Sequence, residues 1–260
     1  MPKHLRIIVC LLIVLLYACS SRESEPKLPG VRIVSLSPSI TATLIDMGLS
    51  DHLVGCSAFC EKIGTPLPVV GDLYSIDYER LLRLQPTHVF LQQQTGGIDS
   101  HIEELARDNA FLQRSWELNT IADIMNLSSD LTLLLDVDQT KISFALEKSV
   151  ISDEPTLLMT NGTDQNVGLC FGNNTYLDDI WSAMGGVNAL KRDGWQMLSL
   201  EDIARLAPSR ILIVSDVQST SIGPVKSLGI PVIQFVHKDV LVPSTRIVQV
   251  AQSLQERLAK

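Results

Sequence analysis

Basic charge is in short supply in this chain, with 21 Lys and Arg against 29 Asp and Glu and a formal net charge of −8. No basic stripe is available to track phosphates, so nucleic acid is not an expected partner. Catalytic signatures are missing as well: there is no G-x-S-x-G elbow, no phosphate-cradling P-loop and no H-E-x-x-H helix. Scattered Ser, His and Asp residues do not define a triad without geometry. The expectation is therefore a protein that is not an enzyme, with no catalytic residue and no resident cofactor. Zinc spacing is absent too, since no C-x-x-C has a histidine nearby, and His52, His88, His101 and His237 are spread along the chain.

What is present begins with enough apolar material for one large core or two modest ones: 260 residues, 45% hydrophobic and 19% charged. Residues 1–19 read as a targeting segment. Lys3, His4 and Arg6 form a basic start, and Ile7 to Tyr17 is an apolar run too short to span a bilayer as a helix. The run ends in Leu16-Tyr17-Ala18-Cys19, which resembles a bacterial lipobox; Cys19 would be lipidated and become the new N-terminus. Residues 20–30 are then a polar tether. Ser20 after the cysteine favours the outer membrane or cell surface over retention at the inner membrane. A lipid-anchored protein in the periplasm or at the cell surface follows from this reading. Export also permits disulfides. With Cys10 and Cys19 set aside, Cys56, Cys60 and Cys170 remain: the first two could close a small loop, or either could meet Cys170.

Along the mature chain, elements alternate. Val31 to Leu36 reads as a strand, Ile40 to Met47 as a helix, Asp51 to Gly55 as a second strand, and Ile98 to Asn109 as a later helix. The stretch YERLLRLQPTHVFL, Tyr78 to Leu91, spells a helix, a proline stop and a strand. LEDIARLAPSRILI, Leu200 to Ile213, spells the same unit. Glu79, Arg83, Leu84 and Pro86 recur as Glu201, Arg205, Leu206 and Pro208, each 122 positions on. Between Ile121 and Val150 strand signals vanish, and leucines at near-helical spacing predict helix throughout. Strands resume at Thr156 to Thr160 and Ile230 to Ile233, with a Gly/Asn-rich loop from Asn161 to Asn174, a helix from Tyr176 to Met184 and a terminal helix from Thr245 to Leu258. The pattern predicts an α/β protein with parallel sheets: an N-terminal lobe over 31–120, a bridging helical segment over 121–153 and a C-terminal lobe over 154–260.

Two similar lobes point to a ligand in the cleft between them, near the carboxyl ends of parallel strands. The loops expected there hold Pro38, Phe59, Gln92, Phe171, Asn173 and Trp195, with His237 after the last strand. Aromatics and amides suit binding better than bond breaking.

RIVSLSPSITATLIDMG, LVGCS, YERLLRLQPTHVFL, the Gly-Gly after Met184, LEDIARLAPSRILI and GIPVI together resemble the substrate-binding proteins of ABC importers for cobalamin, haem and iron siderophores. The resemblance runs in order over nearly the whole mature chain and is strongest to the cobalamin-binding members. It implies two Rossmann-like lobes bridged by one long helix, the class III periplasmic binding protein fold. It implies a monomer that delivers a corrinoid or an iron chelate to a permease dimer with its ATPase. Phe59 falls on a cleft tyrosine of the cobalamin binders and Trp195 on a cleft tryptophan. Glu79 and Glu201 fall on the glutamates, one per lobe, that pair with permease arginines. Leu73 and Gln92 stand where those binders have further tryptophans, with Tyr74 next to the first, and Val242 stands in place of an arginine while Arg246 matches a later one. A zinc or manganese receptor of related architecture, and a lipid-anchored scaffold, are the alternatives.

Overall fold

The computed structural model describes residues 30–64, 66–72, 75–93, 100–138, 144, 146, 153–162, 167–218 and 222–259. Cys19, Tyr74 and the anchor and tether segments 1–29 lie outside the described residues.

The N-terminal lobe starts with β1 (Ile33–Ser35) and α1 (Pro38–Asp46). Ser37 caps this helix by accepting from the Ile40 amide, and Pro38 occupies its first turn, where a missing N–H costs nothing. β2 (Leu53–Cys56), α2 (Tyr78–Arg83), β3 (His88–Gln92), α3 (Ser100–Asp108) and β4 (Leu112–Trp116) follow. The sheet order is β2-β1-β3-β4, all parallel. Successive residues point to opposite faces and both are buried. Ile33 and Phe90 meet Ile40 and Leu44 of α1 on one side, while Val34 and Val89 meet Leu81 of α2 and Ile102 of α3 on the other.

α4 (Ile121–Leu135) joins the lobes. Thr120 and Asp123 close a capping box at its start. Its first turns place Ile121 and Ile124 in the C-terminal core, and its later turns place Leu127, Leu131 and Leu135 in the N-terminal core. The helix was expected to run to Val150. It stops at Leu135, because Asp136 takes a left-handed conformation at φ 49° and ends the hydrogen-bond ladder. Beyond it, Phe144 and Leu146 are not helical and pack on the C-terminal core. Ile142 and Val150 lie outside the described residues.

The second lobe contains β5 (Pro155–Thr160), β6 (Leu169–Phe171), α5 (Tyr176–Ala183), β7 (Val187–Asn188), β8 (Trp195–Met197), α6 (Leu200–Leu206), β9 (Arg210–Ser215), β10 (Val232–Val236) and α7 (Ile247–Leu258). Its order is β10-β9-β5-β6-β8, with β7 beside the start of β5. β10, β9 and β5 are parallel, whereas β6 and β8 run antiparallel, so this sheet is mixed rather than wholly parallel. α5 and α7 cover one face and α6 the other. Among the described residues no helix is long and apolar enough to cross a membrane.

The duplicated unit extends further than its sequence matches. Gln85 and Ala207, again 122 positions apart, end their helices at φ 48° and φ 49°, each just before the proline.

Candidate functional site

The carboxyl ends of the parallel strands carry the polar groups of the site. At the end of β1 Ser37 is fully buried, and its hydroxyl donates to Oε1 of Gln92 at the end of β3, 3.0 Å away. The Thr41 hydroxyl donates to Ser35 Oγ at 2.8 Å, and Ser35 Oγ donates to the Ser37 carbonyl at 3.2 Å. These hydroxyls fix the Gln92 amide at the end of β3. Pro38 sits at the same edge, half-buried. Phe59 follows β2 with 65% of its surface exposed. Other exposed apolar side chains follow strands of the second lobe: Val217 after β9, Val236 at the end of β10, and Leu241 beyond it. Large apolar groups are thus left in water after strands of both lobes.

The expected aromatic group in the second lobe is real but divided in role. Trp195 is half-buried and lies with its ring centroid 4.1 Å from that of Phe171 and 5.9 Å from that of Tyr176. Phe171 has no exposed surface, so it supports Trp195 from within the core and does not itself reach a ligand. This corrects its expected position on the cleft wall: strand β6 turns the side chain inward against Tyr176. Asn173 is also committed, since Nδ2 donates to the Lys191 carbonyl and ties its loop to the segment before Trp195.

His237 follows β10, stacked on Phe235 with 14° between ring planes. The Asp239 amide donates to its Nδ1 at 3.2 Å, whereas the Asp239 carboxylate is 3.9 Å away. In the amide contact Nδ1 is the acceptor, an arrangement that leaves Nε2 as the donor of a neutral ring.

The resemblance matches Arg246 to an arginine of the cobalamin binders. The structure pairs it with carboxylates of both lobes. Its guanidinium contacts Glu61 at 2.7 Å and 3.0 Å, Asp46 at 3.0 Å and Asp239 at 3.5 Å. The hydrogen bond donated to Glu61, then the one to Asp46, raises the Arg246 pKa further above its ordinary value against the opposing effect of burial. Thr245 adds a hydrogen bond to Asp46. No spacing rule identifies this cluster, because its members lie up to 200 positions apart.

Glu79 and Glu201 stand on the first turns of α2 and α6, with side chains 80% and 79% exposed. Each holds the arginine four residues on, Glu79 with Arg83 and Glu201 with Arg205. Among the described residues no group of three or more His, Cys, Asp or Glu is placed to hold a metal ion.

A family model described as periplasmic binding protein matches residues 33–230. No curated protein matches the chain. Among solved structures, the periplasmic haem-binding protein HutB of Vibrio cholerae superposes with a TM-score of 0.70 at 18% identity, over 88% of this chain and 99% of that one. The haem-binding protein RhuT of Roseiflexus sp. RS-1 gives 0.67 at 19% identity, over 87% and 97%. The vitamin B12 binding protein BtuF of Vibrio cholerae gives 0.66 at 16%, over 88% and 96%. At such identities the likeness to these structures establishes the fold. The family match runs from β1 through α4 to β9, stopping just short of β10, and by it the chain belongs to the periplasmic binding proteins, extracytoplasmic receptors that bind a small molecule for an ABC importer and are not enzymes.

Proposed function

We propose that this protein is a lipid-anchored receptor that captures a corrinoid, with cobalamin as the first candidate, and delivers it to an ABC permease. The observation that carries the ligand class is the chemistry at the strand ends. Exposed apolar side chains (Phe59, Val217, Val236, Leu241) accompany an amide, Gln92, and an imidazole donor, His237 Nε2. A corrin ring has broad apolar faces and a rim of amides, and matches such a surface through area and a few directed hydrogen bonds. Haem shares the flat apolar faces, whereas a ferric siderophore is a rounder, more polar complex. The zinc or manganese alternative needs several His and carboxylate ligands converging at one point.

Titration with cobalamin, cobinamide, haem and a ferric siderophore, followed by tryptophan quenching, tests the ligand. Micromolar or tighter binding of a corrinoid, with most of the quench lost in Trp195→Phe, is the expected result. Binding to none of the four would sink the assignment. Anchoring at Cys19 is tested by palmitate labelling, which Cys19→Ala should abolish.

For delivery, Glu79 and Glu201 are the docking points in this reading. Two exposed carboxylates on equivalent turns of the two lobes can set the orientation on a dimeric partner. Each must exchange its own arginine for one of the permease. Glu79→Ala with Glu201→Ala should stop transport and leave ligand affinity intact; weakened affinity instead would place these residues in ligand binding.

A further inference from the structure

Cys56, Cys60 and Cys170 are all free thiols, and the fold sorts them. Cys170 lies on β6 with no exposed surface, among Leu157, Leu190, Ile203 and Ile213 of the second lobe. Cys56 ends β2 in the first lobe, and Cys60 follows in a turn closed by the hydrogen bond from its amide to the Ser57 carbonyl, 3.2 Å. Both converge on Ser35. Cys56 is the partner of Ser35 in the parallel register of β1 and β2, and Cys60 Sγ faces the Ser35 carbonyl at 3.8 Å. The two cysteines line one cavity of about 420 Å³. The Cys60 thiol is also held by Thr41 Oγ1 at 3.0 Å and Ser57 Oγ at 3.4 Å.

We propose that Cys56 and Cys60 form an intramolecular disulfide outside the cytoplasm, and that this bridge fastens the loop carrying Phe59 and Glu61. The inference uses only the extracytoplasmic location and stands apart from the ligand reading. Cys60, half-exposed, meets the oxidant, an external protein or small-molecule disulfide. Its thiolate attacks one sulfur, the external S–S bond breaks, and one thiolate leaves. Cys56 then gives up its proton and attacks Cys60 Sγ, releasing the second thiolate. Two cysteine thiols are oxidised by two electrons, the external disulfide is reduced to two thiols, and the two protons end on those thiols. Burial, with Cys60 beside it, pushes the Cys56 thiol up to about 11, so the more exposed Cys60 is the first nucleophile. The loop matters because Glu61, next to Cys60, grips Arg246 of the other lobe. A bridge at Cys60 would hold one end of that contact between lobes.

The test exploits a convenient peptide. Ile33 to Lys62 contains both cysteines and no internal Lys or Arg, so trypsin releases them together. The full-length protein is reduced, treated with oxidised glutathione, denatured, alkylated with iodoacetamide and digested. The expected peptide is unalkylated and about 2 Da lighter than the dithiol, two hydrogens having been lost, while Cys170 takes up one alkyl group. Two alkylated cysteines, a lasting glutathione adduct on Cys60 in the parent protein, or a link to Cys170 would each overturn the proposal. Cys56→Ser should trap glutathione on Cys60, and failure to trap it would remove Cys60 as the first nucleophile. Native trypsin should cut after the exposed Lys62 several-fold more slowly in the oxidised form; equal rates would refute the fastening of the loop.

Discussion

Arg246, at the foot of the C-terminal helix, donates from Nε to both carboxylate oxygens of Asp46 at 3.0 Å and 3.3 Å, across 200 positions of sequence and from one lobe to the other. With Glu61 on its far side it ties α1 and the loop after β2 to the second lobe. The arginine is mostly shielded, with a side chain 13% exposed, whereas its two cross-lobe partners are about one-third exposed, at 32% and 37%.

Arg246→Met should therefore destabilise the protein by about 2 kcal/mol. That is below the 3–5 kcal/mol typical of a fully buried broken pair, because water reaches the carboxylates left behind. Asp46→Asn should cost under about 1 kcal/mol, since the amide still accepts and Glu61 remains. Urea unfolding measures both. A loss below about 0.5 kcal/mol for the methionine variant would mean the cluster is already screened.

The helix ends of the duplicated unit hold a correctable strain. Ala207 and Gln85 adopt left-handed backbone at φ 49° and φ 48°, a region costing a residue with a Cβ about 1 kcal/mol. Ala207→Gly should raise stability by about 0.5 kcal/mol or more, despite the greater freedom glycine gives the unfolded chain. Gln85→Gly should do the same in the other lobe. A fall in the thermal midpoint for either would show that the strain is relieved elsewhere.

Gly172 permits the crossing that seats Trp195. A Cβ there would lie 1.9 Å from the Arg192 carbonyl oxygen and 2.8 Å from that of Gly194, and backbone cannot yield as a side-chain tip can. Gly172→Ala should cost about 3 kcal/mol by overpacking and move Trp195 off Phe171. A red-shifted, weaker tryptophan emission together with a lower urea midpoint would register this. An unchanged spectrum would contradict the account of the loop.

Alkaline pH should unfold the protein early. Burial pushes the Cys170 thiol from 9.0 up to about 12 and also raises the Tyr176 hydroxyl, which donates to the Val240 carbonyl. Both folded-state pKa values are raised, so their contribution is complete below about pH 9. It falls as pH rises from there toward about 12, because the unfolded chain releases protons that the folded chain keeps. The slope approaches 1.4 kcal/mol per pH unit for each such group, as an order of magnitude. Urea midpoints at pH 8 and pH 10.5 check this, and equal values would contradict it.

Much of the fold was legible because hydrophobic period is a local property. The strands at Ile33, His88, Pro155 and Arg210 and the helices at Tyr78, Tyr176 and Leu200 stand where the pattern puts them. β4 (Leu112–Trp116) escaped notice because it is an edge strand with no fully buried residue and reads as polar. β6 and β8 lay hidden in a Gly/Asn-rich loop and beside a lone tryptophan; three-residue strands carry too little period to register. α4 was read too long because leucine spacing continues past Asp136, where only the backbone turn shows the end.

The candidate site divides along the same line. The duplicated helix-turn-strand unit, the equivalent glutamates at Glu79 and Glu201, and the loops that end at the carboxyl edges of the sheets are written locally, each within a dozen neighbouring residues. Packing alone sets Phe171 inward beneath Trp195, joins Arg246 to Asp46 and Glu61, and puts Cys60 rather than Cys170 in the same cavity wall as Cys56. Those outcomes depend on which faces of two separately folded sheets are buried and on how α4 sets one lobe against the other, and no local spacing carries that information.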